Sequence, residues 1–143
     1  MNVDYNNRYD IADQFSKKRP SFEEVLEFGR RPKIGFSNWV EDGKIRFGNS
    51  ADSEGVLMAL IGERGFNRVI RQLKKEMIGT QISVKYVAEV DGKIVVTARS
   101  QWEDWSEETD DEGNSWRETQ FDHAEATLRG RSGKFESIKV KVS

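Results

Sequence analysis

Two Asp-Gly pairs, Asp42-Gly43 and Asp91-Gly92, each stand between segments in which apolar and polar residues alternate. An Asp-Gly pair favours a tight two-residue turn, and alternation with a period of two is typical of a half-buried strand. The combination predicts an antiparallel hairpin at both places. Antiparallel sheet is therefore expected over a large part of the chain.

The first hairpin has one register that satisfies both the turn and the apolar pattern. A two-residue loop at Asp42-Gly43 pairs Val40 with Ile45 and Asn38 with Phe47. Because a slip of one residue would move every side chain to the other face, this agreement supports the register. The apolar residues that then share a face are Ile34, Phe36, Val40, Ile45 and Phe47.

The second hairpin predicts a different loop. A two-residue loop at Asp91-Gly92 would place Glu89 opposite Ile94, a charged residue opposite an apolar one. A three-residue loop from Val90 to Gly92, with a left-handed Gly92 in a bulge, avoids this mismatch. The register that it predicts pairs Ala88 with Ile94, Tyr86 with Val96, Val84 with Ala98 and Glu89 with Lys93. Val87 is the exception to the alternation in this strand.

Three further strands are expected after Gly92, at about residues 93–105, 116–128 and 135–142. The strand at 116–128 changes phase, because odd positions mark the buried side in its first half and even positions in its second half. The residues that show this change are Thr119, Phe121, Ala124, Ala126 and Leu128. A β-bulge adds one residue and would reconcile the halves, so we predict one at Asp122-His123.

A short helix is predicted to begin at residue 21. Ser21 and Glu24 match the S-x-x-E capping box, in which each side chain satisfies a free backbone N–H of the other residue. Gly29 is the expected left-handed end of this helix.

The main helical region is predicted at residues 53–78, with Ser53 or Asp52 as its cap. Two apolar stripes at helical spacing lie in it, and Gly62 and Gly65 stand between them. We predict a break or kink at these glycines.

Together these segments predict one α+β domain over residues 1–143, with residues 1–19 as a polar N-terminal arm. The expected architecture is an N-terminal helix and hairpin, a central kinked helix, and a four-stranded antiparallel meander packed on that helix. The chain has no cysteine, which excludes disulfides and thiolate chemistry. Its longest apolar run, Val56 to Ile61, is far too short to cross a bilayer. No signal peptide is visible, so we expect a cytoplasmic protein, or a particle subunit if it is viral.

An acidic, tryptophan-rich hairpin is the first candidate site. Seven acidic residues lie between Glu103 and Glu112, beside three tryptophans. Tryptophan is enriched in interface cores, and an acidic rim would steer a basic partner. The residues predicted to bind a partner are Trp102, Trp105, Glu107, Glu108, Asp110, Asp111 and Trp116. The alternatives are a solvated hairpin tip, a calcium loop with a poor motif match, and mimicry of DNA.

A basic helical stripe is the second candidate. Arg64, Arg68, Arg71 and Lys75 are spaced by four, three and four residues, which places them on one face of a helix. Such a row suits phosphate contacts with nucleic acid. The alternative is the solvated polar side of an amphipathic helix.

The single histidine is the third candidate. His123 and Glu125 are two apart on a strand and share a face, with Asp122 and Arg99 as further members of the group. Such a group could bind a metal or move a proton, but one imidazole without a nucleophile motif is more typical of a hydrogen-bonded strand histidine. None of the common catalytic or nucleotide-binding motifs occurs.

The sequence therefore favours a non-enzymatic protein that binds a protein partner or assembles with itself, and needs no cofactor or metal. Candidate settings are a small viral or mobile-element inhibitor of a host factor, or a subunit of an oligomeric particle. The alternative function is binding of nucleic acid or a phosphate ligand through the basic helical stripe. No membrane partner is expected.

Overall fold

Six antiparallel strands form one sheet in the order β1-β2-β3-β4-β5-β6 in a computed structural model of the chain. The structure describes residues 20–31, 38–48, 50–79, 81–105, 111–114, 117–131 and 133–142. The predicted N-terminal arm, residues 1–19, and the predicted core residues Ile34 and Phe36 lie outside this set. The elements are α1 (Phe22–Arg30), β1 (Asn38–Glu41), β2 (Lys44–Phe47), α2 (Ser50–Glu76), β3 (Gln81–Val90), β4 (Lys93–Trp105), β5 (Arg117–Leu128) and β6 (Phe135–Val142).

The predicted α+β class is confirmed, but the sheet is larger than the predicted four-stranded meander. β2 pairs with β3 through Ile45 opposite Val87 and Arg46 opposite Tyr86. This pairing merges the N-terminal hairpin with the later strands. Buried side chains of α1, α2 and one face of the sheet form a single hydrophobic core. We call this the inner face of the sheet. Neither α1 nor α2 combines the length and the apolar composition that a bilayer crossing requires.

Helix α1 has the predicted capping box. The Glu24 backbone N–H donates to Ser21 Oγ at 3.2 Å, and the Glu24 carboxylate accepts from the Ser21 backbone N–H. The predicted stop at Gly29 is wrong, since α1 continues to Arg30. Gly29 is instead buried against the first hairpin, where a Cβ would lie 3.0 Å from Val40 Cγ2. Its small size therefore serves packing between α1 and the sheet.

Helix α2 contains the predicted kink. Gly62 has φ 80° and ψ 164°, which interrupts the helical backbone. The Leu60 carbonyl just before the kink accepts a hydrogen bond from Arg131 Nε at 2.9 Å. The predicted cap is wrong, because the helix begins at Ser50 and Asp52 lies within its first turn. Asp52 is buried and accepts a hydrogen bond from Asn38 Nδ2 at 3.3 Å.

The two Asp-Gly turns both form, with different outcomes for the predicted registers. The first hairpin pairs Asn38 with Phe47 and Val40 with Ile45, as predicted. The second closes through a two-residue loop, with φ 52° at Asp91 and 76° at Gly92, so the predicted three-residue loop is wrong. Positive φ at both central residues matches the twist of the flanking strands.

In the second hairpin, the extra residue that brings the apolar side chains to one face lies within β3 and not at the turn. Glu89 lies opposite Ile94 and Tyr86 opposite Thr97, but Val84 lies opposite Ala98 as predicted. A β-bulge between Val84 and Tyr86 absorbs the one-residue difference. Val84 and Val87 therefore both reach the inner face, which explains why Val87 broke the alternation.

The bulge predicted at Asp122-His123 does not occur. β5 pairs with β4 without interruption, from Ile94 opposite Leu128 to Trp105 opposite Arg117. Asp122 instead occupies an inner-face position and is fully buried. Its Oδ2 accepts the Ile78 backbone N–H at 2.8 Å, so a hydrogen-bonded polar side chain stands where the apolar pattern lapses. The pairing of β5 with β6 shifts register between Thr127 and Leu128, where Glu136 is the extra residue of β6.

Candidate functional site

The face of the sheet opposite the core, which we call the outer face, carries an ordered set of basic and aromatic side chains. Neither helix in the described part of the chain packs on it, since both contribute to the core on the inner face. One row of directly opposed residues crosses all six strands: Trp39, Arg46, Tyr86, Thr97, Glu125 and Lys139. We call this the first row.

A second row runs beside the first across strands β3 to β6. It consists of Ser83, Arg99, His123 and Lys141, again in directly opposed positions. Positions on one face of a strand are two residues apart, so the rows are separated by about 7 Å. Two of the four positions carry a permanent cation and a third carries the histidine.

The bulge in β3 adds Lys85 to the outer face. Lys85 and Tyr86 are consecutive, yet both line the same outer-face cavity, while Val84 and Val87 on either side are buried. Bulges commonly redirect a side chain in this way. Lys85 thereby lines this cavity together with Arg46 of the first row and Arg99 of the second row.

An open cavity of about 410 Å³ brings these groups together. Its charged lining residues are Arg46, Lys85 and Arg99, joined by His123. The rings of Trp39 and Tyr86 also line it. We call these six residues the outer-face site.

Aromatic rings hold the two arginines of the site in place. The Arg46 guanidinium carbon lies 5.3 Å from the centre of the Trp39 ring and 5.1 Å from that of Tyr86. Arg46 also forms an ion pair with Glu41 at 3.3 Å. The Arg99 guanidinium carbon lies 4.9 Å from the centre of the Phe121 ring. Contact with ring faces orients a guanidinium group, while its N–H groups can still donate in the plane of the group, as Arg46 does to Glu41.

The crowding of positive charges in the cavity affects the pKa of Lys85. Partial burial lowers the pKa of Lys85 below its usual value, and the positive charges of Arg99 and Arg46 lower it further. Each of these causes disfavours the protonated ammonium group. An anion in the cavity would oppose both causes and favour the protonated form. The site thus combines three basic side chains and two aromatic rings in one open cavity.

The predicted basic helical stripe is exposed along α2 after the kink. All four of its residues, Arg64, Arg68, Arg71 and Lys75, are exposed. They belong to the helical layer and not to the outer-face site. Their role in phosphate binding stays a prediction.

Only part of the predicted partner-binding hairpin is described. Trp102 is half-buried, Asp111 is exposed, and only the backbone of Trp105 is described. The remaining predicted residues, Glu107, Glu108, Asp110 and Trp116, lie outside the described residues. β3 pairs with β4 as far as Gln101, and β6 pairs with β5 only from Asp122 onward. Within the described chain, residues 102–105 and 117–120 therefore pair only with each other, and we call them the acidic ribbon.

The predicted histidine group is divided between the two faces of the sheet. His123 lies directly opposite Arg99, with Glu125 also exposed on the outer face. Asp122 is buried on the inner face and bonded to Ile78, so it does not join them. Among the described residues, no three His, Asp or Glu side chains are grouped closely enough to hold a metal ion.

Sequence reasoning missed most of the outer-face site because its residues lie on β1 to β5, far apart in the chain. Arg99 and His123 were grouped, but Trp39, Arg46, Lys85 and Tyr86 were not. A signal was present, since the outward positions of these strands carry basic and aromatic residues. It becomes visible only when the strand order and register are known.

The chain matches no protein-family model, and no curated protein and no solved structure was found to be similar to it. Its function must therefore be inferred from the geometry and charge of its own surfaces.

Proposed function

We propose that this protein binds a phosphate-bearing ligand at the outer-face site. The observation that carries the proposal is the convergence of Arg46, Lys85 and Arg99 on one cavity. Like charges gathered in this way oppose one another, and although Glu41 pairs with Arg46, an anion in the cavity would further reduce this repulsion. We therefore assign phosphate binding to the sheet, while phosphate binding by the basic helical stripe stays a separate prediction.

A phosphate group fits the chemistry of these donors. Guanidinium groups present N–H donors in a planar fork that matches two phosphate oxygens, while an ammonium group acts as a compact point charge. The cavity is open to solvent on the sheet surface, which suits one segment of a larger ligand. The proposed role is binding in the cytoplasm, without catalysis and without a cofactor.

Neutral replacements of Lys85 and Arg99 test this proposal. We expect Lys85→Gln and Arg99→Gln each to weaken pyrophosphate binding roughly tenfold, because each removes a charge-assisted contact. Isothermal titration calorimetry at low salt provides the measurement. Arg71→Gln, in the basic helical stripe, is the matched control and should bind like the unchanged protein. Loss of binding in Arg71→Gln alone would move the site to the helix and contradict the proposal.

The stability of Lys85→Gln provides an independent readout. Because the pKa of Lys85 is lower in the folded protein, the unfolded chain binds this proton more tightly. Charged Lys85 therefore opposes folding at neutral pH, and its penalty is relieved as the pH rises from its lowered pKa toward about 10.4. We expect Lys85→Gln to melt no lower than the unchanged protein at pH 7. A large drop in melting temperature would show that Lys85 serves packing instead of ligand binding.

The acidic ribbon supports a second candidate function, the predicted binding of a protein partner or a second copy. The acidic ribbon extends beyond the strands that flank it in the sheet. Trp102 is half-exposed on this ribbon, and these two features support the candidate. Glu103 and Glu118 are exposed on it, which would suit a basic partner. A viral or mobile-element setting remains part of this candidate.

Replacing Trp102 tests the ribbon. We expect Trp102→Ala to reduce self-association or partner capture, because tryptophans contribute strongly to interface cores. Sedimentation velocity and capture from lysate measure the two effects, and Val90→Ala, at an exposed apolar position outside both sites, is the control. If Trp102→Ala unfolds the monomer, the ring belongs to the core and this candidate is wrong.

A further inference from the structure

We propose that the ligand of the outer-face site is single-stranded nucleic acid, bound across the strands of the sheet. This inference rests on the proposed phosphate binding and names its ligand. It depends on how the rings and cations are arranged relative to one another.

Three cations and a histidine form a track that crosses four strands of the sheet. Arg99, His123 and Lys141 stand side by side on β4, β5 and β6, and Lys85 lies at the β3 end of the same track. Adjacent strands are separated by about 4.8 Å, so four strands carry this track over about 14 Å. A single phosphate occupies only part of that length. A chain of phosphates would contact the track along all of it.

Aromatic rings flank the track on both sides. Trp39 and Tyr86 belong to the first row, on one side of it. Phe121 lies on the other side, in a third row with Gln81 and Gln101. A nucleic acid strand carries bases beside its phosphates, so rings beside a cation track match its chemical layout. Stacking of bases on rings and on guanidinium planes is the usual way in which proteins bind unpaired nucleotides.

Trp39 is the ring best placed to receive a base. It is 40% exposed and stands at the β1 end of the first row, at the rim of the cavity. Its indole Nε1 donates to Glu41 Oε2 at 3.4 Å, and Glu41 is also the ion-pair partner of Arg46. Trp39 is thus held in orientation before any ligand arrives.

The shape of the face favours a single strand over a duplex. Base edges in a duplex are reached by an element that enters a groove, such as a helix or a two-stranded ribbon. The outer face is a sheet six strands wide, and it presents its rings where stacked, paired bases could not meet them. The anionic residue of the first row, Glu125, lies directly opposite Lys139, away from the Trp39 end. A polyphosphate or an acidic peptide would use the cations but would give the rings no role.

Four ligands of matched charge separate these cases in fluorescence anisotropy. They are an oligothymidylate of about twelve nucleotides, an oligouridylate of the same length, an abasic strand of the same length and a duplex. We expect both single strands to bind at least tenfold more tightly than the abasic strand and the duplex. Comparison of the oligothymidylate with the oligouridylate shows whether the site prefers DNA or RNA. The slope of log affinity against log salt should be about −2 and become shallower by about 0.7 in Arg99→Gln.

Substitutions of Trp39 test whether its ring stacks on a base of the ligand. We expect Trp39→Ala to weaken oligothymidylate binding about tenfold and to weaken binding of the abasic strand clearly less, because only the normal strand loses a stacked base. Trp39→Phe keeps a ring and should retain most of the affinity, which guards against a general effect on folding. Equal binding of abasic and normal strands would overturn this inference and leave phosphate binding intact. Tighter binding of the duplex would also overturn it. If no polyanion binds at low salt, phosphate binding and this inference are both wrong.

Discussion

Replacing Gly133 with alanine is expected to lower the free energy of unfolding by about 3 kcal/mol or more. A Cβ at this position would lie 2.5 Å from the Cα of Gly65 in α2 and 2.9 Å from its carbonyl oxygen. Both contacts are with backbone, which cannot turn aside as a side chain can. Gly133 also has φ +75°, a conformation that costs alanine about 1–2 kcal/mol. Urea denaturation followed by circular dichroism measures the loss.

Gly43→Ala is the matched control for this prediction. Gly43 has φ +73°, nearly the same as Gly133, but a Cβ there would meet no atom within 4 Å. It should therefore lose only the conformational part, about 1–2 kcal/mol. The difference between the two variants isolates the close approach of Gly133 to α2. Equal losses in the two variants would show that this approach contributes nothing.

Replacing Gly62 with alanine is expected to cost about 2–3 kcal/mol. With φ 80° and ψ 164°, this residue occupies a region of backbone space that is nearly restricted to glycine. The kink turns α2 so that apolar residues on both sides of it are buried in the core, among them Leu57, Leu60, Val69 and Leu73. Alanine either keeps the strained kink or straightens the helix and pulls one half from the sheet.

An exposed helical position provides the comparison for Gly62. Asn67 lies five residues later on the solvent side of α2. Asn67→Ala should be neutral or slightly stabilising, because alanine has the higher helix propensity. Thermal unfolding of both variants, with far-UV circular dichroism of the folded states, makes the measurement. A Gly62→Ala protein as stable as Asn67→Ala would show that the kink is not required by the fold.

Features that depend on neighbouring residues were predictable from the sequence. The Ser21–Glu24 capping box, the first hairpin register and the kink near Gly62 all depend on a few consecutive residues. For the same reason, the α+β class could be predicted from period and turn chemistry. The cap of α2 was misplaced because the helix begins at Ser50, ahead of the residues chosen as its cap.

Errors arose where a strand's pattern had two local explanations. In β3 the same one-residue difference could be absorbed at the Asp91-Gly92 turn or within the strand. The two-residue turn forms because its twist matches that of the strands, and the bulge therefore lies at Lys85. In β5 the lapse in the pattern was taken for a bulge. Asp122 is buried there because Ile78, 44 residues away, supplies its hydrogen-bond donor.

The sequence alone determined the type of most elements of this protein and the outward side of those with an unbroken period, because helix and strand periods are local properties of the chain. Only the tertiary structure decided that β2 would pair with β3 and place Arg46 beside Tyr86, Lys85 and Arg99. Charges from separate strands become neighbours through backbone hydrogen bonds between those strands, and no local pattern specifies that pairing. The outer-face site is for this reason a property of the sheet.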